Sequence, residues 1–127
     1  MTRINVGYPV NKLTRQHLIA EHREIKRIPN MVRTGRARIE NIPEKFCLGT
    51  GHCKFFYNKL AYLLKRYKKI YKECIHRGYN VQNYESAWAG ISKDLMQDYM
   101  PSNEDKDLIV ERINSKLNIT TKQRLNN

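Results

Sequence analysis

Residues 54–76 read Lys54-Phe55-Phe56-Tyr57-Asn58-Lys59-Leu60-Ala61-Tyr62-Leu63-Leu64-Lys65-Arg66-Tyr67-Lys68-Lys69-Ile70-Tyr71-Lys72-Glu73-Cys74-Ile75-His76. Phe56, Leu60, Leu63, Tyr67, Ile70 and Cys74 recur at alternating steps of four and three. Residues so spaced share one face of a 3.6-residue helix, so the stretch predicts one long helix with an inward apolar stripe. Lys65, Arg66, Lys68, Lys69 and Lys72 fall mostly off that stripe. Gly78 and then Asn80 supply a left-handed stop. The aromatics Phe55, Phe56, Tyr57, Tyr62, Tyr67 and Tyr71 are read first as packing residues; base stacking is the alternative for those off the stripe.

Upstream, Thr14 is a helix N-cap candidate and Arg15 to Ile28 reads as a helix. Leu18, His22 and Ile25 share a face, extended by Ile28 and Val32. Pro29 should end or kink this helix, because it lacks an amide hydrogen. Residues 1–13 read as extended or irregular, and residues 33–52 as loop. Downstream, residues 79–102 read as irregular, with a short turn around Ser92 to Gln97 and Trp88 as a core plug. Ser102-x-x-Asp105 is a helix-start pattern, with Glu104, Asp105 and Asp107 near the positive end of the dipole. This third helix is expected to reach about Leu117, with Ile109, Ile113 and Leu117 inward. Residues 118–127 are expected to be a frayed polar tail. No segment alternates with period two. The fold class is therefore all-α, one domain over residues 1–127.

The charge is large and segregated. Lys and Arg number 24 against 12 Asp and Glu, for a net +12. Residues 1–77 hold 18 basic and 5 acidic side chains, and residues 78–127 hold 6 and 7. Such a one-sided field suits a polyanion, of which nucleic acid is the commonest. An anionic membrane surface suits it less, because the basic helices leave no broad apolar face free. No apolar run approaches the roughly 20 residues of a membrane span. The start Met1-Thr2-Arg3-Ile4-Asn5 has no apolar signal core, so a cytosolic protein is expected. Cys47, Cys53 and Cys74 are too few for a disulfide scaffold, and Cys47-x5-Cys53 is not a zinc spacing. His52 beside Cys53 and His76 near Cys74 do not change that, and no metal is expected.

Two features carry possible chemistry. Thr2 is small, so removal of Met1 is expected to leave it with a free α-amine. Such amines titrate at about 7.7–8.0, and neighbouring arginines lower that value. A neutral amine can attack a sugar carbon and form a Schiff base, provided a partner is positioned beside it. In the first helix, His17, Glu21 and Glu24 stack on one face, and Arg23 and Arg27 share the next. A carboxylate bordered by arginines stays ionised and suits a base or an oxocarbenium stabiliser. Arginines in a row suit successive phosphates. The plainer alternative is an exposed helix with Glu–Arg pairs.

The start Met1-Thr2-Arg3-Ile4-Asn5 and the helix Gln16-His17-Leu18-Ile19-Ala20-Glu21-His22-Arg23-Glu24-Ile25-Lys26-Arg27 resemble the pyrimidine dimer DNA glycosylases, a phage-type family of ultraviolet-damage repair enzymes. The resemblance continues through Leu48-Gly49-Thr50-Gly51-His52-Cys53-Lys54-Phe55-Phe56-Tyr57-Asn58-Lys59-Leu60 and Glu73-Cys74-Ile75-His76-Arg77-Gly78-Tyr79-Asn80, with a weaker echo at Asp98-Tyr99-Met100-Pro101. It implies a compact fold of three main helices with the N-terminal segment threaded between them. It implies a glycosylase that cuts the glycosidic bond of the 5′ pyrimidine of a cyclobutane dimer, and a lyase that then breaks the strand by β-elimination. The amine nucleophile falls on Thr2 and the catalytic carboxylate on Glu24. The DNA-clamping arginines fall on Arg3, Arg23 and Arg27, and a histidine close to the site falls on His17. The resemblance also implies a kinked duplex with the adenine opposite the lesion flipped out. It implies no metal and no cofactor.

Arg33, Arg36, Lys65, Lys68 and Lys69 are expected to add non-specific affinity for double-stranded DNA. A monomer is expected, since each helix stripe is used in one small core. The chain departs from the family pattern in a shorter loop after the first helix. It also has no aromatic residue after Tyr99, the last residues being Lys122-Gln123-Arg124-Leu125-Asn126-Asn127. Two alternatives therefore stay open: a glycosylase for another damaged or modified base, and a DNA-binding module without catalysis.

Overall fold

In a computed structural model, described here for residues 2–125 and for side chains through residue 116, the chain is all-helical. Helix α1 spans Arg15–Ile25, α2 Arg27–Arg33, α3 His52–Phe55, α4 Leu60–His76 and α5 Asn103–Leu125. Short 3-10 turns occur at Val10–Lys12, Phe56–Asn58, Glu85–Trp88 and Lys93–Leu95. Among the described residues no strand forms, and pairing is limited to an isolated antiparallel bridge between Lys59 and Met96. Removal of Met1 concerns a residue outside the described ones, as does the inward side chain expected at Leu117.

The helix boundaries show which local signals prevailed. Thr14 caps α1 as expected, its hydroxyl accepting from the His17 amide at 3.2 Å. The break falls at Lys26, between α1 and α2, and Pro29 lies inside the first turn of α2. The physical reason is one turn upstream of Pro29. A proline donates no bond to the carbonyl four residues earlier and its ring crowds it, and that residue is Ile25, where α1 ends. The stretch from Lys54 is not one helix. Phe55, Phe56 and Tyr57 are consecutive and all buried. Consecutive residues lie about 100° apart on an α-helix, so one straight helix cannot bury all three. The chain winds instead through α3 and a 3-10 turn, then enters α4 at Leu60.

The far end of α4 closes as the glycine predicted. Gly78 has φ +80°, its amide reaches the Ile75 carbonyl at 3.0 Å, and the Tyr79 amide reaches Cys74 at 2.9 Å. These are the paired bonds of a Schellman stop. At α5 the Ser102 hydroxyl accepts from the Asp105 amide and the Asp105 carboxylate accepts from the Ser102 amide, both at 3.1 Å. That is the reciprocal capping pattern. The α5 backbone then continues as helix to Leu125, beyond the end expected near Leu117.

Helices α1 and α4 pack antiparallel. Arg77 at the end of α4 donates to the Leu13 carbonyl before α1 at 2.8 Å, while Arg66 meets Glu21. Their shared core holds Leu18, Ile25, Leu60, Leu63, Tyr67 and Ile70, and α5 adds Ile109 and Ile113. Trp88 plugs this core, its indole nitrogen donating to the Leu60 carbonyl at 3.0 Å. The N-terminal segment is threaded through it. Ile4 and Val6 are fully buried, and each contributes about 1.5–3 kcal/mol of hydrophobic stabilisation. Burying this segment fixes where Thr2 lies relative to α1. Among the described residues no helix is long and apolar enough to cross a membrane.

Candidate active site

The site is built around a buried carboxylate that the sequence grouped with the chemistry. Glu21 is 1% exposed and Arg66 6% exposed. The Arg66 Nε donates to Glu21 Oε2, and its Nη2 donates to Oε1 at 3.0 Å. Arg66 Nη1 also donates to the Tyr8 carbonyl at 3.1 Å. Burial works against the Arg66 charge, but Glu21 outweighs it and holds the guanidinium above its ordinary range. Arg66 therefore belongs to the core and not with the exposed lysines it was grouped with in the sequence.

Glu21 in turn grips the N-terminal segment. The Asn5 side-chain amide donates to Glu21 Oε1 at 2.7 Å, and its backbone amide to Oε2 at 3.4 Å. From α5, Arg112 Nη2 donates to Asn5 Oδ1 at 2.8 Å and to the Ile4 carbonyl at 3.5 Å. The Ile4 amide donates to His52 Nε2 at 2.9 Å. The Cys53 thiol donates to the Thr2 carbonyl at 3.8 Å. Residues 2–5 are thus held from α1, α3 and α5 together.

Glu24 lies one turn beyond Glu21 and is 8% exposed. Unlike Glu21, it has no hydrogen bond or ion pair to any other described residue. It does stand within electrostatic reach of Cys53. Burial chiefly raises the Cys53 thiol above its ordinary value, and Glu24 adds to the rise. Cys53 therefore has both the Thr2 carbonyl and the Glu24 carboxylate among its neighbours. Burying a carboxylate is costly unless positive charge stands near it, so a carboxylate placed here favours any positive charge that develops beside it.

The remaining expected residues divide by place. His17 is half-buried on α1 and shares its Nδ1 with the Thr14 hydroxyl at 2.7 Å. Burial lowers its pKa, and Lys116, Arg112 and Arg3 lower it further against Glu21. His17 therefore marks a cluster of cations drawn from the N-terminal segment and α5. Arg3 is half-buried, and Arg23 and Arg27 are exposed on α1 and α2. Arg33 and Arg36 are exposed, and Arg33 donates to Asn30 at 3.1 Å. Lys65 pairs on the surface with Asp98 at 2.6 Å. Lys68 and Lys69 are exposed. Lys69 lines a shallow cavity of about 430 Å³ with Val10, Asn11, Lys72, Glu73 and His76. That cavity lies toward the α4 end that meets the start of α1, whereas Glu24 lies at the end of α1. Lys69 therefore lies toward the opposite end of α1 from Glu24.

Sequence reasoning missed Arg66, Arg112, His52 and Cys53. Arg66 had a signal, since it stands between Leu63 and Ile70 at helical steps. Arg112 adjoins the inward Ile109 and Ile113 in the same way. Among the described residues no three His, Cys, Asp or Glu side chains are grouped to hold a metal ion, and both His52 ring nitrogens bond to backbone. A family model for pyrimidine dimer DNA glycosylase matches residues 1–84. The matched region contains the threaded segment, Glu24, His52 and the whole of α1 to α4. On that match, the chain belongs to the pyrimidine dimer DNA glycosylase family.

Proposed function

We propose that the protein is a bifunctional DNA glycosylase and abasic-site lyase acting on cyclobutane pyrimidine dimers in double-stranded DNA. The observation that carries this reading is the buried carboxylate of Glu24, which shares Cys53 as a neighbour with the pinned N-terminal segment, in a chain of this family. With Met1 removed, the Thr2 amine attacks C1′ of the 5′ pyrimidine nucleotide. The glycosidic bond breaks and its electrons leave on the base, which takes a proton from water. The Thr2 nitrogen then gives up a proton, and its lone pair opens the C1′–O4′ bond. O4′ takes up a proton as a hydroxyl, and the product is an iminium between Thr2 and the ring-opened sugar. Glu24 stabilises the positive charge as it develops and then assists removal of a C2′ proton. Those electrons expel the 3′ phosphate. Water hydrolyses the imine, which returns the amine and leaves an unsaturated aldehyde on the nicked strand. No cofactor enters this scheme.

Arg3, Arg23 and Arg27 hold phosphates near the lesion, and His17 borders the same cluster. Kinking the duplex costs about 1–6 kcal/mol, which these contacts offset. A dimer already weakens stacking and pairing, so flipping a nucleotide there costs less. Arg33, Arg36, Lys65, Lys68 and Lys69 extend the field without sequence preference. The protein acts as a monomer in the compartment that holds the DNA.

Borohydride trapping on duplex DNA with a single thymine dimer tests this reading, using chain with a native N-terminus and Met1 removal checked by mass. The expected product is a covalent adduct mapped to the Thr2 amine. An adduct only on a plain abasic duplex would move the lesion to another damaged base. No adduct on either duplex would leave a non-catalytic DNA-binding module. Affinity should also depend steeply on salt. If about five phosphates are neutralised, Kd rises by about 10²–10³-fold between roughly 50 and 200 mM salt. Anisotropy titrations showing less than about a fivefold change would remove the phosphate-clamp role of these residues.

A further inference from the structure

His52 opens α3 and is 3% exposed, with the Phe46 and Phe56 rings edge-on to it, each at 5.4 Å. Its Nδ1 stands 2.9 Å from the Cys47 carbonyl oxygen, which can only accept. Nδ1 therefore carries the hydrogen. Its Nε2 stands 2.9 Å from the Ile4 amide nitrogen, which can only donate. Nε2 therefore presents a lone pair. One species satisfies both contacts, the neutral ring with its hydrogen on Nδ1. An imidazolium would set an N–H against the Ile4 N–H.

Ile4 is two residues from Thr2. The loop before His52 holds the ring in place: Gly51 has φ +91°, and the Gly49 carbonyl accepts the His52 amide at 3.1 Å. A side chain at Gly51 would be strained by that φ. The ring is therefore set by its backbone and by two aromatic neighbours, independently of the segment it holds.

We propose that His52 is a positioning residue for the Thr2 amine, holding the N-terminal segment in attacking register as the neutral ring and releasing it when Nε2 gains a proton. This rests on the reading that the Thr2 amine is the nucleophile. The groups that face the ring come from every side. Arg3 belongs to the N-terminal segment, Glu21 to α1, the Cys47 carbonyl to the preceding loop and Arg112 to α5. Cys53 follows it on α3. Burial is the largest influence and lowers its pKa below 6.5, the Cys47 carbonyl and Glu21 oppose this, and Arg112 and Arg3 add to the lowering. The ring is thus neutral at physiological pH, and the segment is released only on the acid side.

The test compares wild type, His52→Gln and His52→Phe, all with native N-termini. Gln reaches the Nε2 position with an oxygen that accepts from Ile4 and does not titrate. Phe keeps the aromatic packing and removes the acceptor. Single-turnover trapping on an abasic duplex should fall about 10²-fold in His52→Phe, with Kd for DNA within about threefold, and recover to within about tenfold of wild type in His52→Gln. Exchange of the Ile4 amide should be fast in His52→Phe and slow in the other two. Nitrogen-15 spectra of the wild-type ring should show hydrogen on Nδ1 and none on Nε2. Thr2 and His52 both need to be neutral, so the wild-type rate should fall with slope two below the His52 transition and with slope one in His52→Gln.

A wild-type rate in His52→Phe would overturn the proposal, as would equal loss in both variants or the opposite ring tautomer. If His52→Phe does not fold, the tautomer and the slope in His52→Gln decide the matter. A wild type that forms no adduct at Thr2 would overturn this proposal together with the proposed function. A wild-type adduct that persists in His52→Phe would overturn this proposal alone.

Discussion

Glu24→Gln is expected to bind a thymine-dimer duplex as wild type does and to lose base removal by about 10²–10⁴-fold. The substitution keeps the volume and removes the charge. Gln can neither balance a developing oxocarbenium nor take a proton from C2′. Removing either role from a single step corresponds to about 3–5 kcal/mol of barrier. Binding should hold because phosphate contacts are assigned to arginines on other faces. Folding should hold too, because Glu24 has no hydrogen bond or ion pair to a described residue. Fluorescence anisotropy reads the first, and single-turnover kinetics at saturating protein read the second. Base removal at the wild-type rate would sink the assigned role. A parallel loss of thermal stability would show that Glu24 serves the fold instead.

Glu24 and Glu21 also show where sequence reasoning reaches its limit. Helical spacing placed both carboxylates on one face of α1, and the structure agrees. Spacing cannot say which of them meets a cation. That depends on Arg66, forty-five residues away and delivered by the antiparallel packing of α1 on α4. The helical class, the Thr14 cap, the Gly78 stop, the Ser102 start and the burial of Trp88 were legible because each is a local rule. The long apolar stripe was legible as well, but its first turn was not. Three consecutive buried aromatics at Phe55 to Tyr57 override helical periodicity in favour of wrapping the core. The break at Lys26 was displaced from Pro29 by one turn, since the bond that proline cannot make belongs to Ile25.

The charge reading was sound in its total and incomplete in its geometry. The sequence splits into a basic first part and a nearly neutral second part. Yet Arg112 and Lys116 of the second part stand near His17 and Arg3. A helix with balanced overall charge can still turn its cations to one side. Conversely, Lys65 from the basic part spends its charge on Asp98 at the surface, in the kind of exposed pair worth about 0–1 kcal/mol. The positive field at the site is thus assembled by the fold and not by the order of residues along the chain.

Arg66→Met is expected to cost about 3–5 kcal/mol of folding stability, because it leaves the Glu21 carboxylate buried without its cation. Against a total of about 5–15 kcal/mol, that is a large share. For a chain of this size the melting temperature should fall by about 10–20 °C. Met preserves much of the side-chain length and the packing against the apolar stripe, so the loss reads the charge and its hydrogen bonds, not a cavity. The removal also strikes the N-terminal segment. Glu21 accepts from both Asn5 donors, and a carboxyl driven to take up a proton can no longer accept from both as it does now. Adduct formation at Thr2 should therefore fall in the same variant, even where the protein remains folded. The double variant Glu21→Leu, Arg66→Met separates the two effects. It removes the stranded charge and should regain part of the lost stability. It does not restore a partner for Asn5, so trapping should stay low. Urea unfolding of the wild type and both variants, paired with trapping below the unfolding transition, checks this. A loss under about 1 kcal/mol in Arg66→Met would mean that the pair is solvated in solution. Trapping that recovered with stability in the double variant would mean that Asn5 is held well enough by Arg112 alone.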